Sequence, residues 1–333
     1  MNIRDRKGLK QTAASRLSEA AFDPRLLILI HIGVSMGVTL LITVINYILQ
    51  QQIGGTGGLS GIGLRSILTT AQSALQLAGV FLLPFWEIGI LYASVRIARK
   101  QPAAPASLAE GFRRFGPVLR LNLMKSAVYF AIMMFCVNIG SGIFMMTPLS
   151  DATMDILLPL LENVSAANDP SLAIDDATLV ALVESLAPMI PLLLVLFLLL
   201  AAPLYYRLRM ADYLIMEDKK TGALAALVTS WRITKGRALG LFRLDLSFWW
   251  FYGLQALTLL VCYFDLIASA LGISLPLPAD IASLLFYVLY AALTLLLYRQ
   301  FGSYLHTSYA VAYDTLRYQA AMPTPRPQDS EAE

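Results

Sequence analysis

Apolar residues gather along this chain into six long runs, roughly 25–50, 66–94, 118–146, 185–214, 240–270 and 279–313, separated by polar stretches. A bilayer core about 30 Å thick needs ~20 helical residues, so every run is long enough to cross it and the longest would tilt. The pattern predicts an all-α fold, a polytopic transmembrane helical bundle of about six spans, with short interfacial amphipathic helices between them.

The stretches outside the runs have their own patterns. Residues 1–24 predict a basic amphipathic segment, with Ile3, Leu9, Ala13, Leu17 and Ala20 at helical spacing opposite Arg6, Lys10 and Arg16. Such a segment suits the headgroup region of an anionic bilayer, and equally a solvated helix. Pro24 is placed to open the next helix. The Gly-rich stretch 54–63 lacks the GK[ST] ending of a phosphate-binding loop and reads as a connector. Pro188, Pro191 and Pro203 predict kinks in the fourth run. Residues 25–314 form the expected membrane domain, and 315–333 an expected disordered tail, Pro-rich and polar.

Charge gives the bundle an orientation. Of the 25 Lys and Arg residues, all but Arg65 fall on one expected side, and cationic residues near span ends stay in the cytoplasm. Both termini are therefore expected inside. The segment 148–184 holds Asp151, Asp155, Glu162, Asp169, Asp175, Asp176 and Glu184 and no cation, and is expected outside. Its stretches TMDILLPLLENV and ATLVALVESLA predict amphipathic helices on that surface. With 57% hydrophobic and 14% charged residues and a mean hydropathy of +0.65, the composition excludes an ordinary soluble domain. No dense basic face of the kind that binds nucleic acid is present. Cys136 and Cys262 both fall in apolar runs, and two His residues, His31 and His306, are too few for a multi-His metal centre, so neither disulfide nor metal nor other cofactor is expected. No cleavable signal peptide is expected, because the first run is too long and no small-residue cleavage site follows it.

Two basic hairpins, about 66–146 and 185–270, look alike. Pro84, Leu108 and Gly111-Phe112-Arg113 recur 119 residues later as Pro203, Leu227 and Ser230-Trp231-Arg232, and Gly116 recurs as Gly236 with a slip of one. Duplicated hairpins related by an axis along the membrane normal would give this pattern, as would independent aromatic–Arg anchoring of two similar loops.

The run Ser230-Trp231, Lys235-Gly236, Phe242 and Leu246-Ser247-Phe248 closely resembles the signature of the bacterial integral-membrane family named domain of unknown function 975. Lys10, Ala13 and Leu17 resemble its opening, and Tyr205, Tyr206 and Tyr213 its Tyr-rich exit from the fourth span. The resemblance covers nearly the whole chain. Trp249-Trp250 directly after Phe248, and the length of 148–184, depart from it. The layout is also similar to membrane domains accompanying some glycerophosphodiester phosphodiesterases, without their catalytic domain. The resemblance implies a bacterial cytoplasmic-membrane protein and transfers no site residues.

Chemistry therefore has to be sought in the charges near the spans. Glu87 falls inside an apolar run, where a carboxylate costs ~2.5–3.5 kcal/mol and needs a partner, water or a proton. The repeat places it opposite Tyr206, so a buried pair with Arg207 or Arg209 is expected, with proton coupling as the alternative. Asp212, Arg243, Asp245 and His306 complete a candidate polar vestibule at the basic side. Phe112, Arg113, Trp231, Arg232, Trp249 and Trp250 are the expected interfacial anchors. No HExxH, GxSxG or Walker motif is present, so no catalytic residue is assigned. The leading expectation is a non-catalytic scaffold, assembly or lipid-organising protein. Its expected partners are membrane lipids and a protein partner or second copy. A small transporter and a lipid-modifying enzyme are the alternatives.

Overall fold

The computed structural model describes residues 3, 5–55, 61–167, 176–217, 221–264, 267, 268, 271, 273 and 279–321. Among them every regular element is helical. In chain order they are α1 (Arg6–Ser18), α2 (Pro24–Gly55), α3 (Gly61–Ala98), a 3₁₀ turn (Pro105–Ala109), α4 (Glu110–Arg113), α5 (Phe115–Met145), a short 3₁₀ segment (Pro148–Ser150), α6 (Asp151–Ala167) and α7 (Asp176–Leu186). After these come α8 (Met189–Leu208), α9 (Ala211–Glu217), α10 (Ala223–Thr234), α11 (Ala238–Leu246), α12 (Trp249–Cys262), α13 (Ala279–Leu297), a π turn (Tyr298–Gly302) and α14 (Ser303–Ala321). Among the described residues five helices are long and apolar enough to cross a membrane, six if α11 and α12 count as one broken span.

The contacts divide the chain into two compact units, residues 1–122 with 209–333, and residues 123–208. In the second unit α6 and α7 pair through Thr153, whose Oγ1 lies 3.0 Å from Ser185 Oγ. There a Cβ on Gly140 would stand 2.3 Å from Leu193, so α5 and α8 meet closely. Residues 168–175, with Asp169 and Asp175, lie outside the described residues, as does the centre of the Gly-rich connector. Pro188 lies between α7 and α8, whereas Pro203 is carried inside α8.

In the first unit α2, α3 and the 3₁₀ turn share an apolar core of Leu27, Ile28, Ile90, Ala93, Ile97, Ala103 and Leu108. The turn can reach α3 because both sides lack a side chain where the backbones cross. A Cβ on Gly89 would stand 1.9 Å from the Leu108 carbonyl oxygen, and one on Gly111 1.9 Å from that of Phe85. His31, whose environment is this core, stacks on Trp86 at 5.8 Å, and the indole N–H donates to its carbonyl.

The repeated positions have matching burial. Leu108 and Leu227 are buried, Gly111 and Ser230 are buried, and Phe112-Arg113 and Trp231-Arg232 are exposed. The glycines differ. Gly236 adopts φ +73°, which favours a residue without Cβ, while Gly116 sits within α5.

Three expectations are revised. The fifth span is bent by 60° between Leu246 and Trp249, where the α11 hydrogen bonds end on Ser247 and Phe248. The N-terminal segment is packed on protein, since Leu9 and Ala13 are fully buried and α1 runs against α3 and α14. Residues 315–321, expected in the tail, belong to α14, which continues to Ala321 with Leu316 fully buried, while 322–333 lie outside the described residues; the polar composition concealed an apolar stripe.

Candidate functional site

The first unit concentrates its charges where α3 ends. Arg99 follows the last turn of α3, Glu217 closes α9, and Asp314 and Arg317 lie one turn apart on α14. Arg99 Nη1 is 2.8 Å from Glu217 and its Nε donates to Asp314 at 3.0 Å. Arg317 pairs with the same Glu217, and the Tyr313 hydroxyl donates to it. The Tyr213 and Tyr313 rings stack at 5.0 Å beside this network. The hydrogen bond to Asp314 raises the Arg99 pKa against the opposing effect of burial, so this guanidinium is held charged. Four charges from three elements thus form one cross-brace.

A second ion pair lies in the same unit. Arg209 Nη1 donates to both oxygens of Asp245 at 3.0 Å, with each side chain only 14% exposed. The Arg209 guanidinium lies 3.7 Å from the Tyr309 ring centroid, a cation–π contact. The Tyr309 and Tyr252 hydroxyls are 2.8 Å apart, and Gln255 donates to the Tyr298 hydroxyl at 3.2 Å. Tyr298 opens the π turn, an irregularity that often accompanies functional positions. Arg209, with Arg207 one of the two partners expected for Glu87, forms its ion pair here with Asp245. Glu87 is exposed rather than buried, on a part of α3 within electrostatic reach of Tyr298.

The bend in the fifth span is met by α1. The Lys10 ammonium donates to the Ser247 carbonyl at 2.9 Å and lies 3.8 Å from the Phe248 ring centroid. A bend frees carbonyls from the helical ladder, and in an apolar setting each needs a donor. Burial, and then Arg6, lower the Lys10 pKa. Lys10 and Ser247-Phe248 are residues that carry the resemblance noted above, and here they touch.

The remaining sequence candidates are spread out. Arg243 is exposed in a cleft with Lys235, Gly236 and Arg237, while Arg207 and Asp212 are half-buried. His306 is half-buried, with Nδ1 unpartnered. Phe112, Arg113, Trp231, Arg232 and Trp249 are exposed, whereas Trp250 packs edge-on against Phe301 at 4.5 Å. The pattern of runs did not single out Arg99, Glu217, Tyr313, Asp314 and Arg317. The available signal was acidic residues on the strongly basic side, each of which needs a reason to be there. Among the described residues no three His, Cys, Asp or Glu side chains are placed to hold a metal ion.

Helices of this length and apolarity define a multi-pass helical membrane protein. The chain belongs to the family described as protein of unknown function (DUF975), whose model matches residues 1–320. No match is found among curated proteins or among solved structures.

Proposed function

We propose that this is a non-catalytic protein of the bacterial cytoplasmic membrane, with both termini in the cytoplasm, that organises lipid and partner proteins along its basic face. One observation carries the reading. The ion pairs Arg99–Glu217–Arg317 and Arg209–Asp245 link charged side chains within the first unit to one another, while Phe112-Arg113 and Trp231-Arg232 are turned outward. Paired charges brace helices. Exposed aromatic–Arg pairs suit headgroups and partner surfaces. The one-sided distribution of Lys and Arg supports the cytoplasmic orientation.

The test is native mass spectrometry of protein extracted gently with its lipids and neighbours, beside the quadruple variant F112A/R113A/W231A/R232A. A reproducible protein or lipid partner that the variant loses, at unchanged melting temperature, is the expected result. Solute flux in proteoliposomes, or lipid turnover by purified protein, would overturn it. A small transporter is the second reading, favoured by the hydrogen-bonded polar groups Arg209, Asp245, Tyr309 and Tyr252 inside an otherwise apolar bundle.

A further inference from the structure

Beside the Arg99 cross-brace lies a cavity of ≈ 150 Å³, lined by Tyr92, Arg96 and Arg99, by Arg114, and by Tyr213 and Glu217 of α9. Its charges are not balanced from within. Glu217 is already shared between Arg99 and Arg317, and it accepts the Tyr313 hydroxyl. Arg114 donates through Nη1 to the Ile215 carbonyl at 2.9 Å, and its Nε is 3.6 Å from Glu110, a carboxylate that also serves Arg113. That Nε is buried without a hydrogen bond, and so is Nε of Arg96. Among the described residues no carboxylate pairs with Arg96, whose guanidinium has only the Tyr92 ring 5.9 Å away.

Buried N–H donors rarely lack an acceptor, and a half-buried guanidinium without a counter-ion is costly. Water, at ~30 Å³ per molecule, would fill the space and satisfy donors, but would leave the charge. An anion does both. Arg forks fit the oxygens of an oxyanion by charge-assisted hydrogen bonds, and a tetrahedral one offers acceptors in several directions at once. We propose that this cavity binds a phosphate-class oxyanion, held between Arg96 and Arg114 and closed on one side by the Arg99–Glu217 brace.

The same chemistry arrives either as a soluble phosphate or as a lipid headgroup, so the experiment has two arms. Purified full-length protein in detergent is titrated with inorganic phosphate by calorimetry. In parallel, phosphatidic acid or diacylglycerol, which lacks the phosphate, is added before native mass spectrometry. Saturable binding of inorganic phosphate assigns a soluble ligand; retention of phosphatidic acid over diacylglycerol assigns a headgroup; either supports the site. In the arm that binds, Arg96→Gln weakens affinity about tenfold or more, while Lys7→Gln on the exposed face of α1 leaves it unchanged. Arg96→Lys keeps the charge but loses the fork, and binds with intermediate affinity. It answers the question if Arg96→Gln does not fold. Absence of binding in both arms, or binding that neither Arg96 variant weakens, would overturn the proposal.

Discussion

Gly89 and Gly111 show how much one missing carbon atom decides at the residue scale. Each admits a backbone carbonyl into the space its Cβ would occupy, so neither can be enlarged without moving a helix. Gly89→Ala or Gly111→Ala is expected to cost about 1–3 kcal/mol, read as a lower melting temperature in detergent. Asp245 is paired and largely buried, so Arg209→Gln should destabilise by about 3–5 kcal/mol, and the double change Arg209→Leu with Asp245→Leu should recover most of it. Recovery no better than additive would exclude the pair as the cause. Glu87 is exposed on α3. The apolar run around Glu87 made it conspicuous, yet hydropathy cannot tell which face of a helix its neighbours leave uncovered.

Among the elements, α1 and the bent α11–α12 pair depend on each other. Lys10 supplies a donor to the Ser247 carbonyl at the bend, and Lys10→Met should cost about 1–3 kcal/mol through the orphaned acceptor. Faster protease cleavage within residues 6–18 at unchanged cleavage of α6 would locate the loss at this contact; uniform acceleration along the chain would refute it. Element existence was legible because apolar runs of this length have one solution in a bilayer. The break at Leu246–Trp249 was not, since no proline marks it and the apolar pattern resumes at once in α12. Nor was the docking of α1, because a basic helix with one apolar stripe reads the same whether the stripe meets lipid or protein. Leu108 and Leu227, matched in the sequence, are both buried, but Gly116 and Gly236 match in letter only.

For the whole molecule, the helix through Leu284–Ala321 has 38 residues, about 57 Å at 1.5 Å per residue, against a hydrocarbon core of about 30 Å. Its last turns run against α1, and Arg237 reaches the Gln319 carbonyl at 3.5 Å. Residues 6–18 and 303–321 thus share one end of the first unit. Single cysteines at Lys7 and Tyr318, placed in a background lacking Cys136 and Cys262, should react with an impermeant thiol reagent from the same side of sealed vesicles. Labelling from opposite sides would exclude this packing in the membrane. The contact also has a consequence for biogenesis. A ribosome delivers α1 first and α14 last, so the side of α1 that meets α14 has no cover until some three hundred residues have followed it out. The earliest helix to appear is the last to be seated, and a chain stopped short of residue 303 leaves its own beginning open to chaperones and proteases.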